Sequence, residues 1–420
     1  MVDESPADSP VAEPVLEPLL KPRTADVRLI DNVQGLLEGI SALERGEGAL
    51  AVDAERASGF KYSQRAYLIQ LHRRNAPILL VDPIAIMQEQ PDVFEEVQRR
   101  LAPYEWIIHA ATQDIPCLAE LGLRPQRLFD TELAGRLAGF ERVGLGAMVA
   151  RTMGLQLAKE HSAVDWSTRP LEAGWLNYAA LDVDVLPDLR DALELELEQQ
   201  GKLDWALQEF ERLCSFEPKA PKEDRWRGLS GLHSVKQPRD LAIARELWLA
   251  RETLAQKLDV SPGRLIPDSS ILEVVTSKPR SKAELGANKK FSGRASRSYL
   301  DLWWDAAAKG SATMDLPATK VASTGIPNHR IWVHKFPEAD ARLSAARSAL
   351  ASLVEAHVMP AENILSPDTL RQVCWVERFE SEDEFRLQLT QLGARNWQID
   401  LVSPVLLAVL SPLWHSQRQE

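Results

Sequence analysis

Three cysteines in 420 residues, Cys117, Cys214 and Cys374, lie far apart with no C-x-x-C spacing, which excludes a disulfide frame and a zinc finger. They fit a reducing compartment, and the expected location is the cytoplasm. No stretch approaches the ~20 apolar residues that a membrane helix needs, so no membrane partner is expected. A signal peptide is also lacking, because the amino terminus is acidic and proline-studded instead of basic and then apolar. Positive charge is scarce: 49 Lys plus Arg stand against 61 Asp plus Glu, a net charge of −12. That balance argues against indiscriminate coating of nucleic acid, although a local basic patch is what grips phosphates. What is present is globular, with 45% apolar and 26% charged residues, and the length implies about two to four domains.

Residues 1–20 hold five acids, no base and four prolines (Pro6, Pro10, Pro14, Pro18), a composition that cannot offset its ordering entropy. A disordered acidic tail is expected over 1–24. A helix follows from an Asp31 N-cap to Leu43, ended by the Gly46-Glu47-Gly48 turn. Next comes ALAVDAERAS (49–58), an apolar run that reads as a central strand yet carries Asp53 and Glu55 in its second half. Residues two apart on a strand share a face, so the two carboxylates stand about 6–7 Å apart and repel unless something positive sits between them. A divalent cation with oxygen ligands is the economical neutraliser.

AYLIQLHRR (66–74) and PILLVDP (77–83) read as the next two strands of an antiparallel meander. EWIIHA (105–110) and RLFD (127–130) then alternate with helices near 91–102, 131–139 and 144–153, which implies a mixed sheet covered by helices. Asp114 falls in the first turn of a helix beginning near Thr112. A helical region over 171–200, interrupted at Pro187, carries Tyr178 and Asp182 four residues apart and therefore on one face.

Three segments in this order, VDAERAS with Asp53 and Glu55, IHAATQD with Asp114 and NYAALDVDVL with Tyr178 and Asp182, resemble the motifs of ribonuclease D. That family belongs to the DEDD 3′-to-5′ exonucleases, in the subclass that bears a tyrosine, and DWSTRPL (165–171) is a further point of similarity. The resemblance implies a ribonuclease H-like α/β domain over 25–205, with a mixed five- to six-stranded sheet. It also implies a metal-dependent exoribonuclease that trims RNA 3′ ends, such as those of tRNA precursors or other structured RNA, and releases nucleoside 5′-monophosphates. Two divalent ions, Mg²⁺ or Mn²⁺, would be held by Asp53, Glu55, Asp114 and Asp182. Asp53 would touch both ions, and Asp114 would act mainly through water. Tyr178 would orient the attacking water, and His109 would support the site by packing or hydrogen bonding. A DNA exonuclease and a non-catalytic RNA-binding protein on a nuclease fold are the alternatives; retention of all four acids and the tyrosine counts against the second.

Beyond a linker expected over 206–224 the chain turns basic, with 17 Lys plus Arg against 11 Asp plus Glu over 222–310. The excess concentrates in SKPRSKAELGANKKFSGRASR (277–297), where Lys278, Arg280, Lys282, Lys289, Lys290, Arg294 and Arg297 suit phosphate contacts. This region resembles the helicase-and-ribonuclease-D C-terminal (HRDC) domain, a small all-α nucleic-acid-binding module, expected over 225–312. A second copy recurs at an offset of 98 residues: Val260, Pro262, Ile266 and Leu272 reappear as Val358, Pro360, Ile364 and Leu370. A degenerate HRDC-like domain is therefore expected over 325–420, in a chain that acts as a monomer on RNA.

Overall fold

The computed structural model describes residues 16–158, 164–320 and 325–415. Among these residues eight strands are formed: β1 (Glu17–Leu19), β2 (Val27–Ile30), β3 (Glu47–Arg56), β4 (Ala66–Arg74), β5 (Ile78–Val81), β6 (Glu105–Ile108), β7 (Arg127–Asp130) and β8 (Leu155–Leu157). Six of them make one mixed sheet in the order β2-β5-β4-β3-β6-β7. The β3-β4 and β4-β5 pairs are antiparallel and the β2-β5, β3-β6 and β6-β7 pairs parallel, as the meander followed by β-α alternation predicts.

The helices of this domain are α1 (Val33–Glu44), α2 (Pro83–Glu89), α3 (Val93–Leu101), α4 (Ile115–Ala119), α5 (Thr131–Leu137), α6 (Leu145–Met153), α7 (Ala173–Asp184), α8 (Leu186–Gln199) and α9 (Leu203–Cys214). Alternation along β3 splits its apolar residues between two cores. Leu50 and Val52 join α1, α3 and α4 on one face, whereas Ala51 joins Ala179, Ala180 and Val183 of α7 on the other. The α1 cap is Asn32, whose side chain accepts from the Gly35 amide, one residue later than the Asp31 expected.

Two boundaries differ from expectation. Residues 1–15 lie outside the described residues, but 16–24 are ordered: β1 pairs in parallel with β8, and Arg23 binds Asp184 of α7 through its backbone and side chain. Composition misses this because the partners are more than a hundred residues away. Residues 206–214, expected in the linker, are the greater part of α9, whose Phe210 ring lies 4.8 Å from that of Phe129 on β7.

Residues 225–312 form a helical unit with its own core, built around the helix Pro238–Leu258. The helices Pro337–His357 and Asn396–His415 anchor a second unit, whose core is continuous with that of α7, α8 and α9. The long helices Pro238–Leu258 and Pro337–His357 both end on a left-handed residue, Asp259 (φ 48°) and Val358 (φ 47°), so the structural equivalence between the units is shifted by one residue from the 98-residue offset. Contrary to the hydropathy expectation, Asn396–Trp414 is long and apolar enough to cross a membrane by composition; in this fold Val402, Leu406 and Leu410 are fully buried in the shared core.

Candidate metal-dependent nuclease site

Because Ala51 faces α7, the two-residue period of β3 turns Asp53 and Glu55 toward the same helix. That helix buries Ala179, Ala180 and Val183 against the sheet, which leaves Tyr178 and Asp182, one turn apart, on the side facing the β3 acids. One carboxylate oxygen from each of Asp53, Glu55 and Asp182 lies within 4.8 Å of the others. The fourth acid, Asp114, is the buried N-cap residue of α4, and its carboxyl meets that of Asp53. All four line one cavity of about 570 Å³, together with Tyr178, His109, Gln113 and the segment Ser58–Phe60.

Burial is the largest influence on each of these acids, pushing all four carboxyls above the ordinary range. Mutual repulsion adds to this at Glu55, Asp114 and Asp182, and Glu55 reaches about 10. Four hard oxygen donors whose charges are left so poorly compensated suit a divalent metal. The Tyr178 hydroxyl, raised first by burial and then by the Asp182 charge beside it, stays protonated at neutral pH. His109 hydrogen-bonds through Nδ1 to Thr131 Oγ1 at 2.9 Å, and burial lowers its pKa to about 4, so its ring is neutral where it lines the cavity.

Sequence reasoning passed over three supports of the site. Asp130, at the end of β7, accepts from the amides of Ala110 (3.2 Å), Ala111 (2.9 Å) and Leu133 (3.1 Å), thereby holding the turn between His109 and Asp114, in which Ala110 has φ 60°. A strand-terminal aspartate directly before a helix was the available signal. Arg169 of DWSTRPL binds Asp82 at 2.5 Å and the carbonyl oxygens of Tyr67 and Trp166, which fastens the entry to α7 onto the sheet. Arg56 lines the cavity beside the acids, 4.0 Å from Asp114.

The basic stretch lies on the separate helical unit. Lys278 pairs with Asp240 at 3.0 Å, Lys282 pairs with Asp301, and the Arg280 backbone amide bonds Glu284. Lys289, Lys290, Arg294 and Arg297 are exposed and have no acidic partner among the described residues. None of the seven lines the carboxylate cavity. The two units meet at the cavity rim instead: Ser261 N–H donates to Phe60 O (2.9 Å), Arg264 to Gly59 O (3.0 Å), and Asp259 accepts from Ser63 N (2.8 Å).

Comparison with known proteins agrees with this architecture. Residues 27–198 match the model of a 3′-5′ exonuclease domain, residues 240–306 that of an HRDC domain, and residues 325–410 that of a 3′ to 5′ exonuclease C-terminal domain. Ribonuclease D of Granulibacter bethesdensis is 30% identical over 319 residues, which cover 74% of this chain and 73% of that protein. Ribonuclease D of Bartonella henselae is 31% identical over 255 residues, 59% of this chain and 61% of that protein. The chain thus spans about three fifths of the length of the Bartonella relative and likewise 61% of that from Gluconacetobacter diazotrophicus. Among solved structures, a protein from Bifidobacterium adolescentis superposes with a TM-score of 0.84 at 34% identity, covering 94% of this chain and all of its own. Escherichia coli RNase D, an exoribonuclease involved in structured RNA processing, shares the fold with a TM-score of 0.64 at 23% identity, covering 92% of this chain and 99% of its own.

The fold is therefore that of a ribonuclease H-like exonuclease domain followed by a helical region containing an HRDC domain. The chain belongs to the ribonuclease D family.

Proposed function

We propose that this protein is a metal-dependent 3′-to-5′ exoribonuclease that trims RNA 3′ ends, including those of tRNA precursors, to nucleoside 5′-monophosphates. The observation that carries the reading is the convergence of Asp53, Glu55 and Asp182 within 4.8 Å, with Asp114 beside them, on the α7 side of an exonuclease-type sheet. Asp53, Glu55, Asp114 and Asp182 would hold two divalent ions, Mg²⁺ or Mn²⁺, whose charge supplies the electrophilic activation that phosphodiester hydrolysis needs. Tyr178, protonated at neutral pH, offers a hydroxyl that orients the attacking water without serving as a strong base. Neutral His109 supports the cavity wall through Thr131.

The domain assignment follows the same logic. Residues 25–205 form the nuclease domain, to which α9 is added, and 225–312 form the HRDC domain. Its Lys289, Lys290, Arg294 and Arg297, which have no acidic partner among the described residues, grip RNA phosphates away from the acids, with Lys278, Arg280 and Lys282 at the margin of that surface. The helical domain over 325–415 packs on the nuclease domain and has a structural role. Three free cysteines support a cytoplasmic setting, and a monomer suffices because one chain supplies every acid of the site.

The test incubates the protein with matched 3′-labelled RNA and DNA, with and without Mg²⁺ or Mn²⁺, beside Asp53→Asn and Asp182→Asn. Metal-dependent release of labelled 5′-monophosphate from RNA is expected, and neither variant should keep more than about a tenth of the wild-type rate. Preferential degradation of DNA would replace this reading with the DNA exonuclease, and no hydrolysis with any metal would replace it with RNA binding alone.

A further inference from the structure

Strict alternation along β3 would turn Arg56 away from Glu55, to the opposite face of the sheet. The β3-β4 register slips at this point: Glu55 pairs with Leu68 but Arg56 with Ala66, so that Tyr67 has no opposite residue. A bulge of this kind bends the ladder and re-aims side chains, and here the Arg56 guanidinium stands at the carboxylate cavity. It is the one Lys or Arg among the described residues of the cavity wall, where its charge acts on Asp53, Glu55 and Asp114.

Its bonding is incomplete. Arg169, by contrast, is tied down by Asp82, Tyr67 and Trp166. The Arg56 side chain makes no hydrogen bond among the described residues, and its one ion pair there, to Asp114, is long at 4.0 Å. The side chain is 28% exposed, so the free edge of the guanidinium reaches the open cavity. A guanidinium built to neutralise a carboxylate takes it as a bidentate fork at about 2.7–2.9 Å, and Arg56 does not. Its planar set of donors is equally matched to the non-bridging oxygens of a phosphate.

We propose that Arg56 is a phosphate clamp: its guanidinium takes the non-bridging oxygens of the backbone phosphate brought against the carboxylates. The proposal rests on the exonuclease reading and adds to it a positively charged contact supplied by the chain itself. The clamp fixes the phosphate's orientation and keeps its hold on the same group in the nucleoside 5′-monophosphate product.

The test compares wild type, Arg56→Gln and Arg56→Lys, after melting curves show that each variant is folded. Binding of AMP and of adenosine is measured by calorimetry in Mg²⁺, and single-turnover cleavage of RNA is measured at saturating enzyme. In Arg56→Gln the preference for AMP over adenosine should fall ~10- to 100-fold and cleavage by a similar factor, with adenosine binding unchanged. Arg56→Lys should recover part of the AMP affinity but less of the rate, because an ammonium keeps the charge and loses the fork. Wild-type AMP preference in Arg56→Gln overturns the clamp, as does a wild type that binds AMP no better than adenosine. If wild type cleaves RNA and only these outcomes fail, the clamp alone is wrong; if wild type does not cleave RNA, the exonuclease reading falls first.

Discussion

Glu55→Gln should stabilise the metal-free protein while abolishing its activity, and the size of the effect can be worked from the site. In the fold the Glu55 carboxyl titrates near 10, against an ordinary value of 4.5, because it is buried and then because Asp53, Asp182 and Asp114 repel its charge. A carboxyl raised in this way favours the folded state fully below pH 4.5, and that contribution is lost as pH rises toward 10. At pH 8 the interval above the ordinary value is worth a ceiling of ~5 kcal/mol, at ~1.4 kcal/mol per pH unit. Water entering the open cavity screens the charges, so ~1–2 kcal/mol is the realistic penalty. Replacing the glutamate with glutamine removes the charge and keeps the shape, raising the melting temperature by ~3–8 °C in EDTA at pH 8. The gain should shrink toward pH 5 and should largely vanish when Mg²⁺ or Mn²⁺ stabilises the wild type alone. Melting curves of both proteins between pH 5 and 9, with EDTA and with metal, check this. A glutamine variant that melts at or below wild type in EDTA at pH 8 would refute the reasoning.

Three further outcomes are expected. Tyr178→Phe keeps the ring and its packing, so RNA affinity should stay near wild type while single-turnover cleavage falls by ~100-fold or more, and wild-type turnover would return Tyr178 to a packing role. Lys289, Lys290, Arg294 and Arg297 replaced together by alanine should flatten the dependence of log affinity on log salt by ~1 for each phosphate no longer neutralised, with cleavage at saturating enzyme retained. An unchanged slope would make these residues solvated surface only. Trp397→Ala removes a ring stacked 4.7 Å from Trp205 and a hydrogen bond to Glu209, and should cost ~3–5 kcal/mol in urea unfolding. Because the core is shared, the nuclease domain should lose stability with it; a separate early transition that leaves metal binding intact would contradict this.

Those parts of the site that depend on local periodicity were legible in the sequence. Asp53 and Glu55 share a face because strands repeat every two residues, and Tyr178 and Asp182 share one because helices return after about four. Asp114 is expected in the first turn of a helix from Thr112, whereas the helix starts at Ile115 and Asp114 is its N-cap residue. Arg56 was hidden because alternation sends it to the opposite face, whereas in the fold, beside the register slip at Tyr67 of β4, its guanidinium lines the carboxylate cavity. Asp130 was passed over because its work is to accept three backbone amides, and its one local signal was its place at a strand end directly before a helix. The ordering of Glu17–Arg23 was hidden for a different reason: composition weighs a segment's own apolar content, whereas its stability comes from distant partners, β8 and Asp184.

Domain order along the chain and domain order in space also disagree, with consequences for how the site is built. The last helical unit is third in sequence, yet it shares its core with the nuclease domain: Trp205 of α9 stacks on Trp397, and Arg395 holds Glu209 through both carboxylate oxygens. The HRDC unit stands next in sequence, keeps a core of its own and touches the nuclease domain mainly through polar contacts to residues 59–65. Apolar sharing makes the first pair one mechanical body, because separating them exposes Trp205 and Trp397 to water. Polar contacts release far less on separation, since water replaces each hydrogen bond. The HRDC unit is thus attached at the rim of the cavity, where Gly59 and Phe60 both line the site and accept its hydrogen bonds. Any displacement of that unit is therefore felt first at the wall next to Arg56, and last at the carboxylates, which are anchored in the sheet, at the start of α4 and in α7.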